Sequence, residues 1–259
     1  MSTLNHASTV AEGANIDTWA VTRLHNAMTI IEIDDATILT DPWFVNSRAF
    51  RGHSPITVAE LPELTAIIGS HWVRDHWEMQ KMEAYPHKDT PMYVSAPNME
   101  KSARKHGFTN VEVLEWGAQR ALTDTVTLHA IEEHVGHGRH SNNYGIVGSK
   151  ARIFFGGEVL DLSAIRRCGE ANAPFDVAIG PVNGVFLISR QLTCTAPQML
   201  EAARLLKAPK LVPVHDEHKA LGPMLKVTSS IRDLDTADHD DVEIIELDFG
   251  GRYVAHTVA

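Results

Sequence analysis

Two histidines and an aspartate crowd into the six residues from His71 to His76, directly after the apolar run Ile67-Ile68-Gly69. Imidazole nitrogen and carboxylate oxygen together form a common donor set for zinc, manganese or iron. A loop at the end of a strand can aim several side chains at one point, whereas neighbours inside a strand face opposite ways. The same residues suit an ordinary polar loop, so this spacing alone leaves a metal site and a solvated turn both open. Histidine is also unusually frequent, at 15 of 259 residues, and it is both the commonest metal ligand and a ready general base. A second dense run reads His134-Val135-Gly136-His137-Gly138-Arg139-His140. Its glycines would let the backbone bend toward an ion, although a solvated loop explains it equally well. Other chemistry is poorly supported. Gly156-Gly157 lacks the Lys and Ser/Thr of a phosphate loop, Ser70 lacks a nucleophile elbow, and Cys168 and Cys194 have no paired metal spacing.

The elements that must position these residues are short and β-rich. Strand patterns fall at Met28–Ile33, Thr37–Thr40, Ala66–Gly69, Met92–Ser95, Val111–Leu114 and Thr125–Ile131. They continue at Tyr144–Val147, Arg152–Phe155, Val177–Ile179, Leu211–Val214 and Val242–Leu247, each bounded by turn residues. Helical patterns fall at His76–Ala84, Met99–His106 and Ala196–Leu206. The last has Thr195 as N-cap and Pro209 beyond its end. Asp34-Asp35 and Gly250-Gly251 suit hairpin turns. Many strands with interspersed helices predict an α/β sandwich of two sheets with helices outside. No repeat or linker divides the chain, so residues 1–259 are expected to form one domain, with 1–15 a flexible leading segment.

Composition narrows the partners. The net charge of −10 and the lack of a basic cluster argue against nucleic acid. No apolar run approaches the ~20 residues of a membrane span, and Met1 to Gly13 does not resemble a secretory signal. Two cysteines cannot build a disulfide framework. A cytoplasmic protein acting on a small molecule is the expectation, and nothing opposes a homo-oligomer.

Ser70 to His76 resembles the S-H-x-H-x-D-H signature of the metallo-β-lactamase superfamily, with Val73 where the second histidine belongs. Further segments resemble the family in the same order. Leu39-Thr40-Asp41-Pro42-Trp43 is similar to the turn before the signature, and Glu132-Glu133-His134 to the strand end carrying its third histidine. Phe154-Phe155-Gly156-Gly157-Glu158 resembles the strand ending in a bridging Asp, here Glu, and Leu211-Val212-Pro213-Val214-His215 the strand delivering the last histidine. Arg23 to Glu32 resembles the opening strand of the ascorbate-phosphate lactonase-like branch, its turn here reading His25-Asn26-Ala27.

The resemblance implies a four-layer αββα sandwich holding one or two divalent ions, zinc, manganese or iron. The implied ligands are His71, Asp75, His76, His134, Glu158 and His215, with Asp75 also the catalytic residue that orients water or takes its proton. One site would be complete with Asp75, His76, Glu158 and His215. The other lacks a nitrogen donor at Val73, so it is either depleted or completed by His137 or His140. Asp41 is expected to hold a ligand histidine by hydrogen bond, or else to form an Asx turn before Pro42. His218 is expected in a solvated loop, and Arg74 either meets an anionic substrate group or makes an outward salt bridge. The implied function is hydrolysis of a small lactone, phosphoester or amide through a metal-activated water. Two alternatives remain: a mononuclear iron or manganese enzyme doing oxygen chemistry, and a non-catalytic descendant.

Overall fold

The computed structural model describes residues 19–135 and 139–256. The segment expected to be flexible and His137 lie outside them. Short β-branched runs with apolar residues at successive positions bury both strand faces, and the chain satisfies this by stacking layers. β1 (Trp19–His25), β2 (Met28–Ile33) and β3 (Ala36–Thr40) form an antiparallel meander. β4 (Ala66–Gly69), the short helix α1 (Met79–Met82), β5 (Met92–Val94), helix α2 (Pro97–Lys105) and β6 (Val111–Val113) follow, the strands joining β3 in parallel.

The second half repeats the plan. β7 (Gln119–Ala121), β8 (Thr127–Val135), β9 (Arg139–Val147) and β10 (Arg152–Phe155) are antiparallel. After α3 (Leu162–Asn172), β11 (Val177–Pro181) joins β10 in parallel. A small three-stranded sheet of β12 (Val185–Leu187), β13 (Arg190–Gln191) and the later β15 (Leu225–Val227) branches off. Helix α4 (Ala196–Leu205), β14 (Lys210–Val214) and β16 (Glu243–Ile244) complete the second sheet, and β17 (Arg252–Ala255) returns to pair with β1. Among the described residues both large sheets have seven strands, ordered β17-β1-β2-β3-β4-β5-β6 and β16-β14-β11-β10-β9-β8-β7.

Side-chain parity assigns residues to layers. On β10, Ile153 and Phe155 enter the core between the sheets, while Phe154 faces α3 and α4. On β4, Ile68 enters the same inter-sheet core and Ile67 packs under α1 and α2. Each such buried side chain is worth about 1.5–3 kcal/mol, so a one-residue slip of a central strand would be costly. The result is the expected αββα sandwich. The Asp34-Asp35 turn joins β2 to β3 with Asp34 at φ 48°, and Asn26 at φ 56° serves the β1–β2 turn. Asn and Asp tolerate this left-handed region better than most residues.

Helix α3 has no counterpart in the sequence reading. Its buried side is Ala164, Ile165, Cys168 and Gly169, at helical spacing behind Asp161 as N-cap. Gly169 is required by contact: a Cβ there would lie 2.0 Å from the Leu205 carbonyl oxygen, where α3 crosses the end of α4.

Candidate metal centre

The parallel strands deliver their C-terminal ends to one edge of the sandwich. Asp41 follows β3, Ser70 and His71 follow β4, Glu158 lies three residues past β10, Asn183 two past β11, and His215 follows β14. Binding at the carboxyl ends of parallel strands is the general habit of such sheets. Asp41 and His215 both have left-handed backbones, at φ 38° and 59°, a strained conformation for non-glycine residues that tends to mark functional turns.

Asp41 organises one side. Its buried carboxylate accepts from Ser70 N at 2.6 Å through Oδ1. Oδ2 accepts from Ser70 Oγ at 2.6 Å and from His76 Nδ1 at 2.7 Å. Tautomers follow from donor counting. His76 gives its Nδ1 proton to Asp41, which turns its Nε2 into the cluster. Ser70 Oγ spends its one proton on Asp41 and must accept from His71 Nδ1 at 2.9 Å, so the His71 Nε2 is bare. That nitrogen is buried without a hydrogen-bond partner and sits 3.0 Å from Glu158 Oε1. A lone pair and a carboxylate oxygen face each other there, an arrangement that calls for a cation between them. Hence the structural reading of Asp41 is the tautomer-fixing role, exercised on two rings at once.

The second group adjoins the first. His76 Nε2 lies 2.9 Å from His215 Nε2, and each is 3.7 Å from Asp75 Oδ2. His218 Nε2 approaches the same Asp75 oxygen at 3.2 Å. Asn26 Nδ2 donates to the Asp75 carbonyl and carboxylate at 3.0 and 3.3 Å, fixing that residue over the β1–β2 turn. His215 Nδ1 lies 2.9 Å from Asn183 Nδ2, whose Oδ1 accepts from the Thr193 hydroxyl at 2.7 Å. Turning that amide over keeps the Thr193 contact with its direction reversed, because a hydroxyl can accept a second bond beside that from Val185 N. Oδ1 would then take the Nδ1 proton and leave Nε2 free to coordinate.

The electrostatics agree. Burial pulls His76 down, but the hydrogen bond and charge of Asp41, with Asp75 and Glu158, outweigh it and leave the ring raised to about 9. The site therefore demands positive charge. Burial, reinforced by the neighbouring His76 and His218, pushes His215 down to about 4, so it is neutral and able to ligate. Burial would raise Asp75, yet the hydrogen bonds of His215 and His218 and the charge of His76 hold it well below the usual carboxylate range.

Of the expected ligands, the structure brings together His71, Asp75, His76, Glu158 and His215. It does not bring His134. That residue is half-exposed on β8, with Nε2 at 2.5 Å from Glu132 Oε1 and its ring edge-on to Trp116. Its neighbour Glu133 is the residue turned inward, fully buried, because successive strand side chains take opposite faces. His140, which pairs across from His134, is exposed as well. The expectation for His218 is also corrected. An antiparallel bridge between Phe50 and His218, and a ring contact at 4.0 Å, pull it off the surface onto Asp75. Sequence offered only its closeness to His215 as a signal.

Among the described residues, the donor atoms form two groups, Asp41, His71, His76 and Asp75, His215, His218, each with atoms within 4.8 Å of one another. Together with the orphaned His71 nitrogen, these residues fit a divalent cation. Gly157 is part of the cradle. A Cβ there would lie 2.2 Å from Ser70 Oγ and 3.3 Å from His71 Nδ1. Gly157→Ala must therefore displace the serine that sets the His71 tautomer. About 10–100-fold weaker metal retention in a chelator competition is expected, the usual cost of losing such support; unchanged retention would mean that Ser70 is dispensable.

A fold of two stacked sheets with a His and carboxylate cluster at its edge defines a class, and comparison identifies it. Residues 36–215 match the family model of the beta-lactamase superfamily domain. The chain belongs to the metallo-β-lactamase superfamily. It is similar to an uncharacterized protein of Mycobacterium tuberculosis, 23% identical over 180 residues, covering 63% of this chain and 48% of the relative. It thus spans about half the length of the curated relatives it matches. Among solved structures it resembles an isothiocyanate hydrolase from Delia radicum gut bacteria, at TM-score 0.73 and 16% identity over 91% of this chain and 98% of the other. A metallo hydrolase from Ignicoccus hospitalis aligns at TM-score 0.71 and 16% identity, covering 92% and 98%. CmlA, a diiron β-hydroxylase from Streptomyces venezuelae, aligns at 0.70 and 16%, covering 94% and 55%. At these identities the structures share the fold. No helix among the described residues is long and apolar enough to cross a membrane.

Proposed function

We propose that this protein is a metal-dependent hydrolase of a small molecule, with its cation held by His71, His76, Glu158, Asp75, His215 and His218. The observation that carries this reading is the bare His71 nitrogen, buried 3.0 Å from a carboxylate oxygen and without a hydrogen-bond partner. A bound zinc, manganese or iron ion would polarise the bond attacked and bring the pKa of water from 15.7 toward about 7.

The chain's own residues supply the rest. Asp75 Oδ2 stays ionised beside His218 Nε2, so it can accept a proton from water and orient the oxygen that remains. Asn26 keeps that carboxylate aimed into the cluster. Asp41 and Ser70 hold two rings with their ligating nitrogens inward. Lactone, phosphoester and amide substrates all suit such a site, and the β1–β2 turn at His25-Asn26-Ala27 supports placing it near the ascorbate-phosphate lactonase-like branch.

Elemental analysis of protein purified without added metal should find about one to two ions per chain. Metal-replete protein should cleave at least one member of an ester, lactone, amide and phosphodiester panel, losing the activity to a chelator and regaining it with metal. Metal-replete protein that cleaves none of them would refute the hydrolase reading. Mixed histidine and carboxylate donors also suit iron, and the fold is shared with a diiron hydroxylase. Iron in the purified protein, with oxygen consumed on substrate, would put oxygen chemistry in its place.

A further inference from the structure

Asp75 forms part of the wall of a cavity of about 380 Å³ that opens beside the metal centre. The rest of its lining comes from two segments. Arg74 precedes Asp75 in the signature loop, and the stretch after β3 contributes Trp43, Val45, Arg48 and Phe50. That stretch is tied down on both sides. Glu78 N donates to the Pro42 carbonyl at 3.1 Å, Arg51 N to the Glu217 carbonyl at 2.8 Å, and Lys219 N to the Ala49 carbonyl at 2.8 Å. Phe50 bridges to His218 and packs its ring against Trp43 at 4.3 Å. The cavity is thus built onto the same loops that carry Asp75 and His218.

Its charge is unexpected for this chain. The protein carries −10 overall, yet Arg48 and Arg74 both line this one cavity, both are exposed, and neither guanidinium makes an ion pair or hydrogen bond among the described residues. Several other arginines are engaged, as in Arg23–Glu217, Arg104–Glu100, Arg120–Glu112 and Arg204–Asp241. A guanidinium stays charged at any relevant pH and offers a planar fork matched to carboxylate or phosphate oxygens. Asp75 supplies no such partner, since its carboxylate is occupied by His218 and Asn26.

We infer that this cavity is the substrate pocket and that it selects small organic anions, a carboxylate or phosphate on Arg48 and Arg74 with an apolar body against Val45 and Phe50. The word substrate rests on the hydrolase reading; anion binding does not. The preference would place the bond to be cleaved near Asp75, because Asp75 lines the same cavity as the two arginines.

The test is calorimetric binding of phenyl phosphate, benzoate and neutral benzyl alcohol to the metal-containing full chain. Both anions should bind at least about tenfold tighter than the alcohol. Arg48→Ala/Arg74→Ala should weaken both anions at least about tenfold while metal content and circular dichroism stay unchanged. Arg48→Gln and Arg74→Gln singly, should the double variant misfold, should each weaken them by about threefold or more. Anions bound no tighter than benzyl alcohol would overturn the proposal. So would anion affinity that survives the arginine variants and vanishes with a chelator, which would assign the anion to the metal alone. Arginine-dependent binding in a protein that hydrolyses nothing would sink the hydrolase reading and leave the anion pocket standing.

Discussion

Replacing His76 with alanine should strip the protein of its metal and lower hydrolysis at least about a thousandfold, the scale expected when a ligand of a catalytic ion is lost. The imidazole is the hinge of the centre. It meets Asp41 Oδ2 at 2.7 Å, His215 Nε2 at 2.9 Å and Asp75 Oδ2 at 3.7 Å. Alanine would also leave the fully buried Asp41 with only its two bonds from Ser70, and the loss of one partner of a buried charged group costs about 1–3 kcal/mol. The urea midpoint should therefore fall together with the metal content. His134→Ala is the matched control. Half-exposed and bonded to Glu132, it should keep its metal, whereas His218→Ala should lose metal affinity by about 10–100-fold. If the His134 variant emptied as completely as the His76 variant, the ligand set drawn from this fold would be wrong.

The second large effect is expected at Glu133 and depends on pH. The side chain is fully buried and accepts from Asn143 Nδ2 at 2.6 Å and from the backbone N–H groups of Leu160 and Asp161 at 2.9 and 3.2 Å. Burial, aided by the charge of Glu158, outweighs those bonds and raises the carboxyl from 4.5 to about 7. Below 4.5 the acid is protonated in both folded and unfolded chains and contributes no pH dependence. Between 4.5 and about 7 the unfolded chain releases the proton and the folded one keeps it, so stability falls as pH rises. Above that the penalty is constant, about 3 kcal/mol at 1.36 kcal/mol per pH unit.

Glutamine fits the same place without the charge. Its Oε1 can accept from Leu160 and Asp161, and its amide can donate to Asn143 Oδ1 once the Asn143 amide, whose Nδ2 now faces the carboxylate, turns over. Glu133→Gln in chelator-treated protein should raise the melting temperature by several degrees at pH 8, on the order of 2–3 kcal/mol, and change little at pH 4.5. Glu133→Ala should destabilise at both, because it strands the buried Asn143 Nδ2 and two part-buried backbone N–H groups. Equal shifts of the glutamine variant at the two pH values would show that the carboxyl does not titrate in this window.

Much of this molecule is legible in its residues. Apolar runs such as Met28–Ile33 and Arg152–Phe155 coincide with β2 and β10 because a strand with both faces buried has little freedom to be anything else. His71, Asp75 and His76 stand out by their spacing after an apolar strand, and Glu158 and His215 through the family resemblance; the parallel strands that carry them end at a common edge. Helix α3 has no counterpart in the sequence reading, although Asp161 caps it and Ala164, Ile165, Cys168 and Gly169 recur at helical spacing.

Tertiary structure decided what strand parity and long-range pairing control. Glu133 and His134 are adjacent on β8, and a single-residue alternation sends the carboxylate inward and the imidazole outward. His218 reaches Asp75 because a bridge to Phe50, far away along the chain, draws its loop inward. Asp41 fixes two histidine tautomers, one through the Ser70 hydroxyl, only because β3 and β4 pair in parallel and present those residues side by side. Residue identity determines which groups are able to hold a cation. Which of them meet depends on the direction each backbone gives its side chain, and that is set by contacts between segments remote in sequence.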